Sequence, residues 1–225
     1  MYGNLSRFIL VSVACLAVVG FAPAKVSAYA DVVFVIDESN SIDSGEFAAM
    51  KQYCLDVVAA FDFTGPRAAR FGAYGFALSE RLIVALNADS ASVVGALANM
   101  VWCGGDGTCL YCGLRGARSQ LMVYGRSGFP DIVVVLTDGE PNRPIDTANA
   151  KQAAQQEIDD LVALGATVFP VAVGSNYGLE EYLATLGSPV HTLGNPGALV
   201  ANILATPVAE NTWSSLKMRS NSPDR

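Results

Sequence analysis

The sequence predicts an α/β fold built on a doubly wound, mostly parallel six-stranded sheet, with one antiparallel edge strand and helices on both faces. Short apolar runs alternate along the chain with longer segments of helical periodicity, a pattern typical of open parallel sheets. No long linker or internal repeat interrupts residues 31–205, so we expect this stretch to form one domain.

The elements of the first half follow from this pattern. An apolar run after residue 30 predicts a buried strand, and the next segment carries Phe47, Met50 and Cys54 on one helical stripe, with Ser44 as its expected N-cap. Two short strands then flank a turn and predict the single antiparallel hairpin. The expected elements are strands at 31–36, 70–77 and 82–86 and helices at 44–62, 90–101 and 111–124.

The second half opens with the most apolar strand of the domain, which runs directly into Asp138 and Gly139. The expected elements are strands at 130–137, 166–173 and 190–193 and helices at 147–164, 179–186 and 196–204. In open α/β sheets the functional crevice lies beyond the carboxyl ends of the strands. The polar residues that follow the strands are therefore the candidates for a site.

Residues 1–30 have the layout of a secretory signal peptide. Arg7 precedes an apolar run of 14 residues, no acid is present, and cleavage after Ala28 or Ala30 fits the small-residue rule. The run is shorter than the about 20 residues that span a bilayer. We expect a secreted, extracellular mature protein without a membrane anchor, in which residues 206–225 form a polar tail.

Composition and charge exclude several functions. The chain has 14 basic and 21 acidic residues, and loss of the signal segment removes two basic residues and no acid, so the mature net charge is −9. A chain this acidic is unsuited to binding nucleic acid. His191 is the single histidine, which argues against a zinc site or a histidine-dependent nucleophile, and we interpret it as a structural or surface residue.

Five oxygen-bearing side chains follow the predicted strands or precede a helix. Asp37, Ser39 and Ser41 come at alternate positions after the first strand, Asp138 follows the fourth, and Thr108 ends a glycine-rich loop between them. Two carboxylates and three hydroxyls, with no nitrogen or sulfur, suit a hard cation.

The motifs Asp-x-Ser-x-Ser, Gly-Gly-x-x-Thr and Leu-Thr-Asp-Gly-Glu-Pro, in this order, resemble the metal-ion-dependent adhesion site of the von Willebrand factor type A domain family, which has a Rossmann-like fold. The resemblance covers the whole predicted domain and implies a Mg²⁺ site, with Mn²⁺ or Ca²⁺ as alternatives. Its ligands would be the hydroxyls of Ser39, Ser41 and Thr108 and, directly or through water, Asp37 and Asp138.

The resemblance also implies adhesion without catalysis: the partner would be an extracellular or matrix protein that presents an acidic residue to the cation. Family members of the integrin I-domain type change affinity when their last helix shifts, and the segment 196–204 occupies that position here. The sequence carries no prediction of the oligomeric state.

Two positions depart from the commonest form of the family motif. Glu38 stands where glycine is frequent, and we expect its carboxylate to be solvated; if it reached the ion, it would favour Ca²⁺. Leu110 stands where many relatives have another hydroxyl, so we expect a modest metal affinity.

Four cysteines remain after removal of the signal segment, an even number that favours disulfides in a secreted protein. A bridge from Cys103 to Cys109 would restrain Thr108 and leave Cys54 for Cys112, with the other pairings open. Cys54 also lies on the apolar stripe of its helix, where a buried free thiol is an equal interpretation.

Two other functions match parts of the pattern. A type A domain can bind partners through a metal-independent face. A Mg²⁺-dependent phosphotransferase of the haloacid dehalogenase type also places an aspartate after its first strand, but its chemistry requires a second aspartate two residues later, where this chain has Ser39.

Overall fold

A computed structural model describes residues 29–143, 147–175 and 178–208 of this chain. Most of the expected signal peptide and of the expected tail, residues 1–28 and 209–225, lies outside the described residues.

The sheet and its helices confirm the predicted fold class. Every predicted element is present, with bounds that differ from those expected by at most three residues. The strands are β1 (Asp31–Asp37), β2 (Arg70–Phe76), β3 (Glu80–Asn87), β4 (Asp131–Thr137), β5 (Thr167–Ala172) and β6 (His191–Thr192). The helices are α1 (Ser44–Ala59), α2 (Ser90–Ala98), α3 (Leu110–Tyr124), α4 (Thr147–Ala163), α5 (Leu179–Leu186) and α6 (Pro196–Ala205).

The strand order is β3-β2-β1-β4-β5-β6, and all pairs are parallel except the hairpin of β2 and β3. The chain builds the sheet outwards from β1 on one side and then crosses to add β4 on the other. The strand order therefore reverses between β1 and β4, and the crevice at their carboxyl ends is the topological switch point.

Both edges of the sheet are irregular or short. The register of β3 against β2 shifts twice, between Phe71 and Ala73 and between Ala73 and Tyr74. At the other edge, β6 has two residues.

The apolar residues of β1 divide between two cores. Val32, Phe34 and Ile36 pack with α1, α2 and α6 on one face, whereas Val33 and Val35 pack with α3, α4 and α5 on the other. All five side chains are fully buried, and burial of an apolar side chain of this size stabilises the fold by about 1.5–3 kcal/mol. Burial on both faces explains why the strand reads as a continuous apolar run.

The N-cap of helix α1 lies one residue earlier than predicted. Asp43, rather than Ser44, is the N-cap: its carboxylate accepts hydrogen bonds from the amides of Gly45 and Glu46, and the Glu46 side chain accepts one from the Asp43 amide. This capping box satisfies otherwise unpaired amides at the helix start. It therefore fixes where the β1–α1 loop ends.

Helix α3 lies unusually close to the sheet. A Cβ atom added at Gly113 would come within 2.7 Å of Cγ1 of Val35, and one at Gly116 within 2.8 Å of Cδ1 of Tyr74. Only glycine permits this approach. Since α3 starts two residues after Thr108, the tight packing also holds Thr108 near the carboxyl end of the sheet.

None of the helices in the described part of the chain is long and apolar enough to cross a membrane.

Candidate metal site

Asp37 is the last residue of β1 and is fully buried at the switch point. Its Oδ1 accepts a hydrogen bond of 2.9 Å from the Ser39 amide, and its Oδ2 accepts one of 2.6 Å from the Thr137 hydroxyl. Burial raises the pKa of Asp37 to about 6, the negative charge of Asp138 adds to the rise, and the two hydrogen bonds oppose it. A nearby cation would favour the charged carboxylate.

Three further oxygens form a chain beside Asp37. The hydroxyls of Ser39 and Ser41 lie 2.9 Å apart, and the Ser41 hydroxyl donates a hydrogen bond of 3.0 Å to Oδ1 of Asp138. Burial raises the pKa of Asp138 as well, while the bond from Ser41 lowers it. The loops after β1 and β4 thus bring four of the five predicted ligands together.

The fifth predicted ligand, Thr108, arrives on the loop before α3. Gly105 pairs with Ser39 in an isolated parallel bridge, and its carbonyl accepts a hydrogen bond of 3.0 Å from the Asn40 amide. The Asn40 side chain also donates to Asp106, at 2.7 Å. These contacts fasten the glycine-rich loop directly to the Asp-x-Ser-x-Ser segment.

Thr108 itself is held from the opposite side by Asn142. The Thr108 amide donates to Oδ1 of Asn142 at 2.9 Å, and the Asn142 amide donates to the Thr108 carbonyl at 3.2 Å. Thr108 is 5% exposed. The amide of the next residue, Cys109, donates a hydrogen bond to the carbonyl of Ala77, which directly follows β2. Thr108 therefore lies between the loop that follows β4 and the end of β2.

The donor set fits a small hard cation. Asp37 and Asp138 are buried carboxylates whose pKa values are raised by desolvation. They lie beside serine hydroxyls that can either donate or accept a hydrogen bond. Mg²⁺ prefers oxygen ligands of this kind and keeps several waters in its octahedral shell.

The expectation that Glu38 is solvated is wrong. Its side chain is 1% exposed, and its carboxylate pairs with the guanidinium of Arg81 on β3. The Glu38 carboxylate also lies against Gly75, where an added Cβ would come within 2.4 Å of it. Because this charge is already engaged by Arg81, the argument for a Ca²⁺ preference loses its basis.

The bridge between Cys103 and Cys109, one of the pairings that the sequence leaves open, does not form. Cys109 pairs instead with Cys112, three residues further along the first turn of α3. Cys54 is a buried free thiol, and burial raises its pKa; Cys103 is free and exposed. The Cys103 thiol lies 3.3 Å from Oε2 of Glu38, so the loop is drawn toward the buried ion pair and away from Cys109.

Sequence reasoning missed three supporting residues. Thr137 bonds to Asp37, Asn142 holds Thr108, and Arg81 neutralises Glu38. Thr137 belongs to the Thr-Asp-Gly turn, so its position was a usable signal. The partners of Arg81 and Asn142 come from strand and loop pairing, which no local pattern reveals.

The side chains of His191 and Leu110 have structural roles. His191 is 5% exposed, contacts the ring of Phe169 edge-on and lies within hydrogen-bond distance of Asn202, at 3.3 Å. Leu110, the first residue of α3, is buried in the core on the α3 side of the sheet.

The sheet order and the oxygen-lined crevice at its switch point define an open α/β domain of the Rossmann-like class. Within that class, the chain belongs to the von Willebrand factor type A domain family, whose model matches residues 31–193.

Similar proteins include human von Willebrand factor A domain-containing protein 2, 29% identical over 171 residues that cover 72% of this chain and 20% of that protein. The human collagen alpha-6(VI) chain is 31% identical over 193 residues, covering 78% of this chain and 8% of the collagen. The chain thus spans a small part of either relative.

Among solved structures, proximal thread matrix protein 1 from the mussel byssus, with a zinc-occupied MIDAS motif, has the same fold, with a TM-score of 0.65 and 20% identity over 80% of this chain and 48% of that one.

Proposed function

We propose that this chain is a secreted adhesion module that binds an extracellular or matrix protein through a divalent cation. The observation that carries the proposal is the continuous oxygen cluster at the switch point, in which the Ser41 hydroxyl lies 2.9 Å from Ser39 and 3.0 Å from Asp138, beside the buried Asp37. The zinc-occupied motif of the byssus protein supports a divalent cation in this family. The matrix relatives support a protein partner.

Mg²⁺ is the cation we propose, with Mn²⁺ or Ca²⁺ as alternatives, held by Ser39, Ser41 and Thr108 and, directly or through water, by Asp37 and Asp138. A bound cation would supply a Lewis-acidic position that accepts a carboxylate of the partner. Three of the five ligands are neutral hydroxyls, so the two carboxylates at most balance the charge of the cation and leave it able to accept an acidic side chain as a further ligand. Asp37 is kept charged and oriented by Thr137 and by the Ser39 amide.

The first test is direct metal binding by the mature chain. Isothermal titration with MgCl₂ should show one site in the wild type and none in Asp37→Ala. Asp56→Ala is the matched control, because Asp56 is exposed on α1 and its carboxylate accepts a hydrogen bond from the Gln52 side chain. Its affinity should equal that of the wild type.

The second test is solid-phase binding to immobilised matrix proteins, collagens included, in Mg²⁺ and in EDTA. Binding should require Mg²⁺ and be lost in Asp37→Ala. Binding that survives both treatments would overturn the metal-mediated mechanism in favour of a metal-independent face.

Secretion is tested separately. Expression of the full chain in a secreting host should release a product whose first residue is Tyr29 or Asp31, read by N-terminal sequencing. Retention of residues 1–28 in the cell-associated protein, with none in the medium, would overturn the assignment of a signal peptide.

A further inference from the structure

The loop between α2 and α3 fastens two successive residues to the segment that follows β1. The indole Nε1 of Trp102 donates a hydrogen bond of 3.2 Å to the carbonyl of Ser39. The thiol of Cys103 lies 3.7 Å from the carbonyl oxygen of Glu38. The α2–α3 loop therefore contacts the main chain of the Asp-x-Ser-x-Ser segment directly, beside the contacts made by the glycine-rich loop.

Ser39 is the proposed metal ligand to which this indole bonds. Ser39 is fully buried, and its hydroxyl lies 2.9 Å from that of Ser41. Its carbonyl accepts one further bond, of 3.3 Å, from the Ile42 amide within the same turn. The indole of Trp102 is thus a side-chain donor from a separate loop, and it restrains the peptide group that follows the Ser39 hydroxyl.

The ring of Trp102 also packs on the glycine-rich loop. Gly104 has a φ of +57°, in the left-handed region that favours glycine, and a Cβ added there would lie 3.6 Å from Cζ2 of the indole. The next residue, Gly105, forms the parallel bridge with Ser39. Trp102 therefore contacts both segments that meet at the bridge, the one that carries Ser39 and the one that leads to Thr108.

Core packing does not account for this tryptophan. In the part of the chain that the structure describes, its ring packs in neither hydrophobic core of the sheet, and Trp102 is 37% exposed. Its N–H nevertheless points inward to a fully buried residue. The hydrogen bond to Ser39 is therefore its most specific contact with the domain.

We propose that Trp102 is a positioning residue for the metal site: its indole N–H holds the Ser39 peptide, and with it the hydroxyl ligand, in the arrangement that a cation requires. The inference rests on the proposed function and adds a residue outside the ligand motifs. Without the bond, the metal-free loop samples other arrangements, and only the competent fraction binds a cation, so the apparent dissociation constant rises in proportion. Loss of one neutral hydrogen bond shifts such an equilibrium by about fivefold.

The first measurement is amide hydrogen exchange of the mature chain in EDTA, which needs no metal. Exchange at Asn40 and Gly105 should be about fivefold faster in Trp102→Phe than in the wild type, because both amides donate hydrogen bonds between the two segments. Val33, in the middle of β1, should keep its rate. Val101→Ala is the matched control, since it shortens an exposed side chain of the same loop and keeps the indole.

The second measurement is isothermal titration with MgCl₂. Affinity should be about fivefold weaker in Trp102→Phe and unchanged in Val101→Ala. L-3-benzothienylalanine, incorporated at position 102 in a Trp213→Phe background, keeps the shape of the indole and replaces its N–H by sulfur. It should weaken Mg²⁺ binding as much as Trp102→Phe does, which separates the hydrogen bond from the packing of the ring.

The two proposals fail separately. Unchanged exchange at Asn40 and Gly105 in Trp102→Phe, or an acceleration that extends equally to Val33, would overturn the positioning role. Wild-type Mg²⁺ affinity in Trp102→Phe would overturn it as well. A wild-type chain that binds no Mg²⁺, with exchange at Asn40 and Gly105 still accelerated in the variant, would overturn the cation-dependent function and retain the hold of Trp102 on Ser39.

Discussion

The hydroxyl of Thr137 donates a hydrogen bond of 2.6 Å to Oδ2 of Asp37, and both residues are fully buried. They stand at the carboxyl ends of the adjacent parallel strands β1 and β4, 100 residues apart in the sequence. This bond lowers the pKa of Asp37 and so opposes the larger effect of burial. Thr137 thereby favours the charged form of the carboxylate and restrains its orientation.

Replacing Thr137 with valine keeps the shape of the side chain and removes this bond. We expect Mg²⁺ affinity to fall about 10-fold or more, the usual cost of losing a residue that orients a metal ligand. Isothermal titration at neutral pH measures the change. Thr64→Val, which removes an exposed hydroxyl bonded to Asp62, is the control and should keep wild-type affinity. Unchanged Mg²⁺ affinity in Thr137→Val would show that Asp37 needs no such support.

The buried pair of Glu38 and Arg81 should matter to stability more than an ordinary surface pair. Arg81→Met leaves Glu38, which is 1% exposed, without its cation; we expect the free energy of unfolding to fall by about 2 kcal/mol. The loss is smaller than for a fully buried pair because the Arg81 side chain is 46% exposed and water can approach. Urea denaturation in EDTA measures it.

The matched control for that measurement is Arg115→Met. Its partner Glu80 is more exposed, so the loss should be about 0–1 kcal/mol. The double variant Glu38→Gln with Arg81→Met removes the unpaired charge and should recover part of the stability. Equal losses in the two single variants would contradict the idea that Glu38 depends on its ion pair.

The cysteine pairing predicts three stages of alkylation in the mature chain. Iodoacetamide should modify exposed Cys103 in the native protein and buried Cys54 only after unfolding in urea. Cys109 and Cys112 should react only after reduction as well. Peptide mass spectrometry assigns each adduct, and protection of Cys103 before reduction would instead indicate the bridge to Cys109.

His191 should make stability fall on the acid side of neutrality. Burial lowers the pKa of its imidazole in the folded state, below the about 6.5 of an unfolded chain. The unfolded state therefore binds more protons in this range, and the stabilisation that is present above about pH 6.5 is lost as the pH falls. The raised pKa values of Asp37 and Asp138 act in the opposite direction.

The difference between wild type and His191→Gln isolates the imidazole from those carboxylates. Denaturation by urea at pH 7.5, 6.5 and 5.5 should show the wild type losing stability relative to the variant as the pH falls. A constant difference across the three pH values would mean that His191 does not change protonation in this range.

The sequence was most informative where local pattern and burial coincide. β1 and β4 are apolar throughout because helices cover both their faces, and the residues that end them, Asp37 and Asp138, are the site residues for the same topological reason. Asp43 and Ser44 are both residue types that can cap the start of α1. Asp43 is the N-cap because Glu46, three residues later, completes a capping box with it.

The errors concern contacts between distant segments. The sequence predicts a solvated Glu38 because its partner Arg81 lies on β3, opposite Gly75 of β2, and no local motif encodes this contact between separate segments. The cysteine spacing permitted several pairings, and the fold selects Cys109 with Cys112 by leaving Cys103 beside Glu38.

The two edges of the sheet affect whether this protein aggregates at high concentration. A long, flat outer strand offers unpaired amides and carbonyls to a second molecule and so templates aggregation. Here register shifts interrupt the pairing of β3 at one edge of the sheet, and β6 at the other edge has two residues. Neither edge offers a long and regular template, so we expect copies of this domain to stay discrete at high concentration instead of merging into fibrils.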